Sequence, residues 1–177
     1  MIFIHPTRSL AKKLKISTKE SSHVETKPPL LHTWFCNDFR FSRMDLALFV
    51  NSETYLPLVL KAAPYNNLIE RFLPDLQAYL KELGYQNLIQ NWDSNVVLTK
   101  THDRSTLGVM TQFIKELEVE DYLGRLRLED TQTMTSRLTS TLIGGPKYKT
   151  PLERLAEKAR FQKEPPKTHL KLVPKNK

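Results

Sequence analysis

The sequence predicts an α+β fold: a small, mostly antiparallel sheet with helices packed on one face, followed by a C-terminal helix and a disordered basic tail. Three observations predict it. Runs rich in Ile, Val, Phe and Trp with strand character crowd the first 61 residues. Leu and Met stripes at helical spacing fill most of residues 66–142. Strands followed by helices is the pattern of an α+β chain. The last 15 residues hold three prolines, five lysines and little to bury, which favours disorder.

Each element has a local cause. Residues 1–5 read as a short strand, and Thr7 caps a brief helix through Lys15 with Leu10 and Leu14 on one face. The polar stretch 17–29 closes on Pro28-Pro29 and reads as a loop. Trp34, Phe35, Phe39 and Phe41, then Leu46, Leu48 and Phe49, mark two antiparallel strands at 31–40 and 44–51 around a polar turn. A third strand at 54–61 contains Pro57, which cannot donate to a ladder, and so belongs at an edge. Leu68, Phe72, Leu76 and Leu80 set a helix over 66–83 that Pro74 kinks or divides and Gly84 ends. A short helix at 88–92 and a strand at 95–100 follow.

Asp103 caps the next helix, whose apolar face is Leu107, Met110, Ile114 and Leu117. Another helix at 130–142 stops at Gly144-Gly145-Pro146. Thr150-Pro151-Leu152-Glu153 then combines an N-cap, a proline at the first helical position and a reciprocal glutamate. It opens a helix at 151–161 with Leu152, Leu155, Ala156 and Ala159 as its stripe. The chain therefore divides into an α+β domain at 1–145, a linker and capped helix at 146–162, and a tail at 163–177.

Charge is divided as sharply as structure. Residues 147–177 carry ten bases against three acids and residues 1–27 carry six against two, while the stretch between carries eleven against fourteen. The net charge of +8 thus belongs to the termini, around a slightly acidic body. The N-terminal apolar run is too short for a secretory signal, and its positive charges follow rather than precede it. No stretch approaches the ~18 apolar residues of a membrane span. One cysteine, Cys36, excludes an internal disulfide and fits a reducing compartment, so the expected location is cytoplasmic.

The densest polar run at a strand-to-helix junction is Thr99-Lys100-Thr101-His102-Asp103-Arg104-Ser105. Such a junction aims backbone amides outward and suits an anion such as phosphate. There His102 would shuttle a proton while Lys100 and Arg104 stabilise developing negative charge, as in a small RNA or DNA phosphodiesterase. A simpler account makes Asp103 or Thr101 a helix cap and pairs Arg104 with a carboxylate. His32 and Cys36 stand four apart, but a strand separates them by roughly 13 Å, and no second ligand pair has zinc spacing. No metal or cofactor is expected, and Cys36 reads as a small core residue. Trp34, Phe35, Phe39 and Phe41 interleave with Arg40 and Arg43 as on sheets that stack nucleotide bases, although strand aromatics are more often core.

Phe3, Leu10-x-x-x-Leu14, Trp34, Leu48-Phe49-Val50-Asn51, Arg71-Phe72 and above all Thr99-Lys100-Thr101-x-x-Arg104-Ser105-x-Leu107-Gly108-x-Met110 form a distinctive set. Over about residues 1–125 it resembles an uncharacterised family of small bacterial proteins, a domain of unknown function. The resemblance implies a domain boundary and a bacterial setting, and supplies no activity. Its members usually carry Asn-Asn where this chain has His102-Asp103, so a chemistry shared across the family does not rest on His102.

The expected function is that of a non-enzymatic bacterial binding protein. Its basic termini, with Lys163, Lys167, Lys171, Lys175 and Lys177 beside Lys100 and Arg104, would engage nucleic acid or an acidic protein, in a mobile-element or toxin–antitoxin setting. The alternatives are the phosphodiesterase at Lys100–Ser105 and a regulator or anti-defence factor that binds only protein.

Overall fold

The computed structural model describes residues 1–16, 29–89, 92, 95–100, 103–125, 130–144 and 148–163, with no account of the side chains of 161–163. Five strands, β1 (Ile2–Pro6), β2 (Thr33–Phe41), β3 (Met44–Asn51), β4 (Pro57–Lys61) and β5 (Val96–Leu98), form one sheet in the order β4-β3-β2-β1-β5. The meander β2-β3-β4 is antiparallel, whereas β1 runs parallel to both β2 and β5. The helices are α1 (Arg8–Lys13), α2 (Leu68–Glu82), α3 (Arg104–Tyr122), α4 (Thr131–Thr139) and α5 (Pro151–Lys163). The α+β class is as the sequence predicts, but the sheet is mixed rather than mostly antiparallel, with two of its four pairings parallel.

Helices cover both faces of the sheet, not one. Successive strand residues point to opposite faces, and here both faces are apolar. Trp34, Cys36 and Phe49 enter a core closed by Leu10 of α1, Phe72 and Leu76 of α2, and Leu155 of α5. Phe35, Phe41, Leu46, Leu48 and Val50 enter a second core closed by Val109, Met110 and Phe113 of α3 and by Met134 and Leu138 of α4. The cause is visible in β3: Leu46 through Val50 are all fully buried, and a strand apolar on both sides needs cover on both.

The edge position of β4 follows from Pro57. Leu58 and Leu60 face the β3 ladder, so the amide side of Pro57 and Val59 points outward, where a missing donor costs no ladder bond. The outward Val59 amide is satisfied by Thr135 Oγ1 of α4 at 2.9 Å, which caps that edge.

Other details differ from the sequence expectation. Pro74 neither divides nor ends α2, because it sits on the exposed side and the carbonyl it leaves free, that of Glu70, belongs to an exposed residue. The short helix expected at 88–92 is a 3-10 turn at Gln86–Leu88. The core face of α3 is Thr106, Val109, Met110, Phe113, Leu117 and Glu120, leaving Leu107 and Ile114 half-buried. In α5 the buried stripe is Pro151, Leu155 and Ala159, while Leu152 is exposed. The reciprocal cap is present: the Thr150 amide donates to Glu153 Oε2 at 2.8 Å and the Glu153 amide to Thr150 Oγ1 at 3.2 Å. The helix runs to Lys163, and the predicted tail beyond it lies outside the described residues.

Candidate functional site

The carboxyl ends of β1 and β5 are where the fold places its polar junction. These neighbouring strands are parallel, but the helices that follow them leave to opposite faces: Leu10 of α1 enters one core and α3 the other. Such a switch point is the usual ligand position in open sheets with parallel strands.

His5, near the end of β1, ties the junction together. Its ring stacks on Phe35 at 4.6 Å and 13°. Its Nδ1 lies 2.8 Å from both Thr99 Oγ1 and the Lys100 carbonyl oxygen. The backbone is tied at the same level, where the Thr99 amide donates to the Ile4 carbonyl at 3.0 Å. Across the end of β1, Thr7 caps α1 through the Leu10 amide and donates its hydroxyl to Asn37 Oδ1 at 2.8 Å.

Asp103 is the N-cap of α3, as the simpler account has it. Its Oδ1 accepts from the amides of Ser105 at 2.8 Å and Thr106 at 3.3 Å, while Oδ2 accepts the Thr106 hydroxyl. A carboxylate so engaged orders the helix start and is a poor general base. Arg104 and Ser105 form the first exposed turn of α3, and Ser105 Oγ lies 3.0 Å from Tyr55 Oη. Tyr55, in the turn between β3 and β4, carries the Arg154 guanidinium over its ring at 5.0 Å. Arg154 Nε is buried with no hydrogen-bond partner among the described residues.

Lys100 and Arg104 thus share the junction where the sequence places them. Thr101 and His102 lie outside the described residues, as do Lys167, Lys171, Lys175 and Lys177, and Lys163 closes α5. The stacking-surface reading of the β2 aromatics is corrected, because Trp34, Phe35 and Phe41 are core and Phe39 packs half-buried against it. Cys36 is fully buried, and burial, then the Asp38 charge, push its thiol well above the ordinary range. His32 bonds the Met1 carbonyl oxygen at 2.7 Å and meets Trp92 edge-on. Among the described residues no group of three or more His, Cys, Asp or Glu side chains is placed to hold a metal ion. Nor is any helix of them long and apolar enough to cross a membrane.

The family model described as a domain of unknown function (DUF6933) matches residues 3–154. The chain belongs to this family. The DUF6933 match takes in β2 to β5 and all of β1 but Ile2, and ends at Arg154, early in α5. No curated protein matches the chain. Within the DUF6933 region the residues that sequence reasoning missed are His5, Tyr55 and Arg154. Their signal was weak, because each reaches the junction from a distant part of the chain: His5 from β1, Tyr55 from a turn and Arg154 from α5.

Proposed function

We propose that this chain is a non-enzymatic bacterial cytoplasmic binding protein that engages a polyanion, nucleic acid or an acidic protein, through its basic termini. The observation that carries this is the partition of charge: the termini hold an excess of eleven bases, while residues 28–146 hold three more acids than bases. A body of that charge gains little from phosphate, whereas a basic arm releases counterions on contact. Mobile-element or toxin–antitoxin function is the setting in which such a protein is proposed to act.

A second reading is favoured by one observation, the placement of His5 beside Lys100 at the strand ends, with Ser105 and Arg104 opening the adjacent helix. It makes the junction a phosphodiesterase site. Three proteins separate the two: wild type, a chain lacking residues 163–177, and Arg104→Ala. Purified at low salt, the wild type is expected to carry ultraviolet absorbance from nucleic acid that a high-salt wash removes, and tail deletion should reduce it strongly. Loss confined to Arg104→Ala would put the enzyme reading ahead. No binding by any of the three would leave a protein partner as the remaining reading.

A further inference from the structure

Two helices from opposite faces of the sheet meet around its β4 edge. α2 covers one core and α4 the other, and they are joined outside the strand by two bridges. The hydroxyls of Tyr79 and Thr139 share a hydrogen bond, and Gln132 Nε2 donates to both Glu82 oxygens at 3.0 and 3.1 Å. Beside these bridges lies a cavity of about 320 Å³. Residues 58 and 60 bond β3, so the main-chain groups of Val59 and Lys61 point out of the sheet at this edge. Thr135 takes the Val59 amide, which leaves the Val59 carbonyl and the Lys61 amide without a partner among the described residues. The same holds for the Lys61 ammonium and the Asp75 carboxylate, and Arg71 keeps Nη1 unbonded. Val59, Lys61, Arg71 and Asp75 all line the cavity. Its charges are ordered. Arg71 Nη2 donates to the carbonyls of Ala62 and Pro64 at 3.4 and 3.3 Å, which fixes the basic pair Arg71 and Lys61 where β4 finishes. Asp75 follows about one turn further along α2 and Glu82 about three.

We infer that this cavity binds a free α-amino acid by its ammonium and carboxylate. In a parallel ladder one residue offers its N–H and its C=O to two outward groups of the neighbouring strand, and the Val59 carbonyl and Lys61 amide form such a pair. The ligand's ammonium donates to the Val59 carbonyl, with Asp75 as its counter-charge. Its carboxylate accepts from the Lys61 amide, with Lys61 Nζ and Arg71 Nη1 as the opposing cations. Ionised partners of opposite sign favour a zwitterion over a neutral amide or a plain anion. A longer peptide is barred, because α4 and the two bridges occupy the line that an added strand would take. The volume lies at the low end of ligand pockets, about 300–1,000 Å³, and suits a ligand of this size.

Amide NMR of the full chain, titrated with each of the common L-amino acids in turn, tests this. At least one should shift the Lys61 amide saturably. Acetylating its α-amine, or converting its α-carboxylate to the amide, should each weaken binding at least about tenfold. Lys61 and Asp75 are exposed, so Lys61→Gln and Asp75→Asn should keep the wild-type spectrum elsewhere and each lose a similar factor. Absence of any saturable shift at Lys61 overturns the inference. So does a binder whose blocked forms bind as tightly as the free amino acid, because its head group is then not what is read. Binding that survives both substitutions places the ligand elsewhere and overturns it too.

Discussion

Cys36 shows how burial decides what a reactive residue type can do. The thiolate is the nucleophile, and this thiol is fully enclosed, with its ionisation opposed by burial and then by Asp38. Native protein should therefore fail to react with a thiol reagent that labels it at once in denaturant, and fast native labelling would put Cys36 back among the chemical candidates. Tyr79 is governed in the same way. Burial raises its phenol above the usual value, Glu82 adds to the rise, and the hydrogen bond with Thr139 opposes it. Both groups keep their protons longer folded than unfolded. Stability is therefore whole below the unfolded values of about 8.5 and 10, and is lost as pH climbs toward the raised folded ones. Tyr79→Phe should cost about 0.5–1.5 kcal/mol near neutrality and flatten the alkaline part of that decline. Urea midpoints measured across the alkaline range check this, and an unchanged alkaline slope would mean that Tyr79 does not contribute to it.

Elements were legible where their signal is local. The caps at Thr7, Asp103 and Thr150 and the edge proline of β4 follow from chemistry within a few residues, and each is in place. The face of α3 was misjudged because hydropathy cannot see satisfied polar groups. Thr106 is buried with its hydroxyl on Asp103, and Glu120 is buried beside Arg137 at 2.6 Å and Arg125 at 3.5 Å. Those two positions set the true stripe and leave Leu107 and Ile114 at its margin. Leu76 and Met110, by contrast, lie in opposite cores and are almost wholly buried. Leu76→Ala and Met110→Ala should each lose about 2–5 kcal/mol. Far apart and without shared partners, their effects should add in the double variant. Thermal unfolding measures both, and a wild-type midpoint for Leu76→Ala would contradict its place under the sheet.

At the scale of the whole molecule, the sequence revealed less of the sheet than of its strands. Nothing local announces that β1 lies between β2 and β5 and parallel to both, because those pairings join residues about 30 and 94 positions apart. The candidate junction was legible as a polar run, but His5 and Tyr55 reach it only through that long-range pairing. Charge is different, since it needs no fold to be counted. Removing residues 163–177 takes away five lysines and one glutamate and leaves the five strands and five capped or packed helices to residue 162. If phosphate neutralisation drives binding, log affinity falls with log salt by about 0.9 per phosphate contacted on duplex. Deletion should then flatten the slope by roughly three to four units and weaken binding to unrelated sequences equally. Arg104→Ala should change the slope by about one unit at most, in keeping with a single cation. A site at the junction predicts the reverse, with the slope surviving tail deletion and collapsing on loss of Arg104. A salt titration of these chains on one duplex decides between a basic arm and a built pocket, because the two differ in the number of phosphates they neutralise.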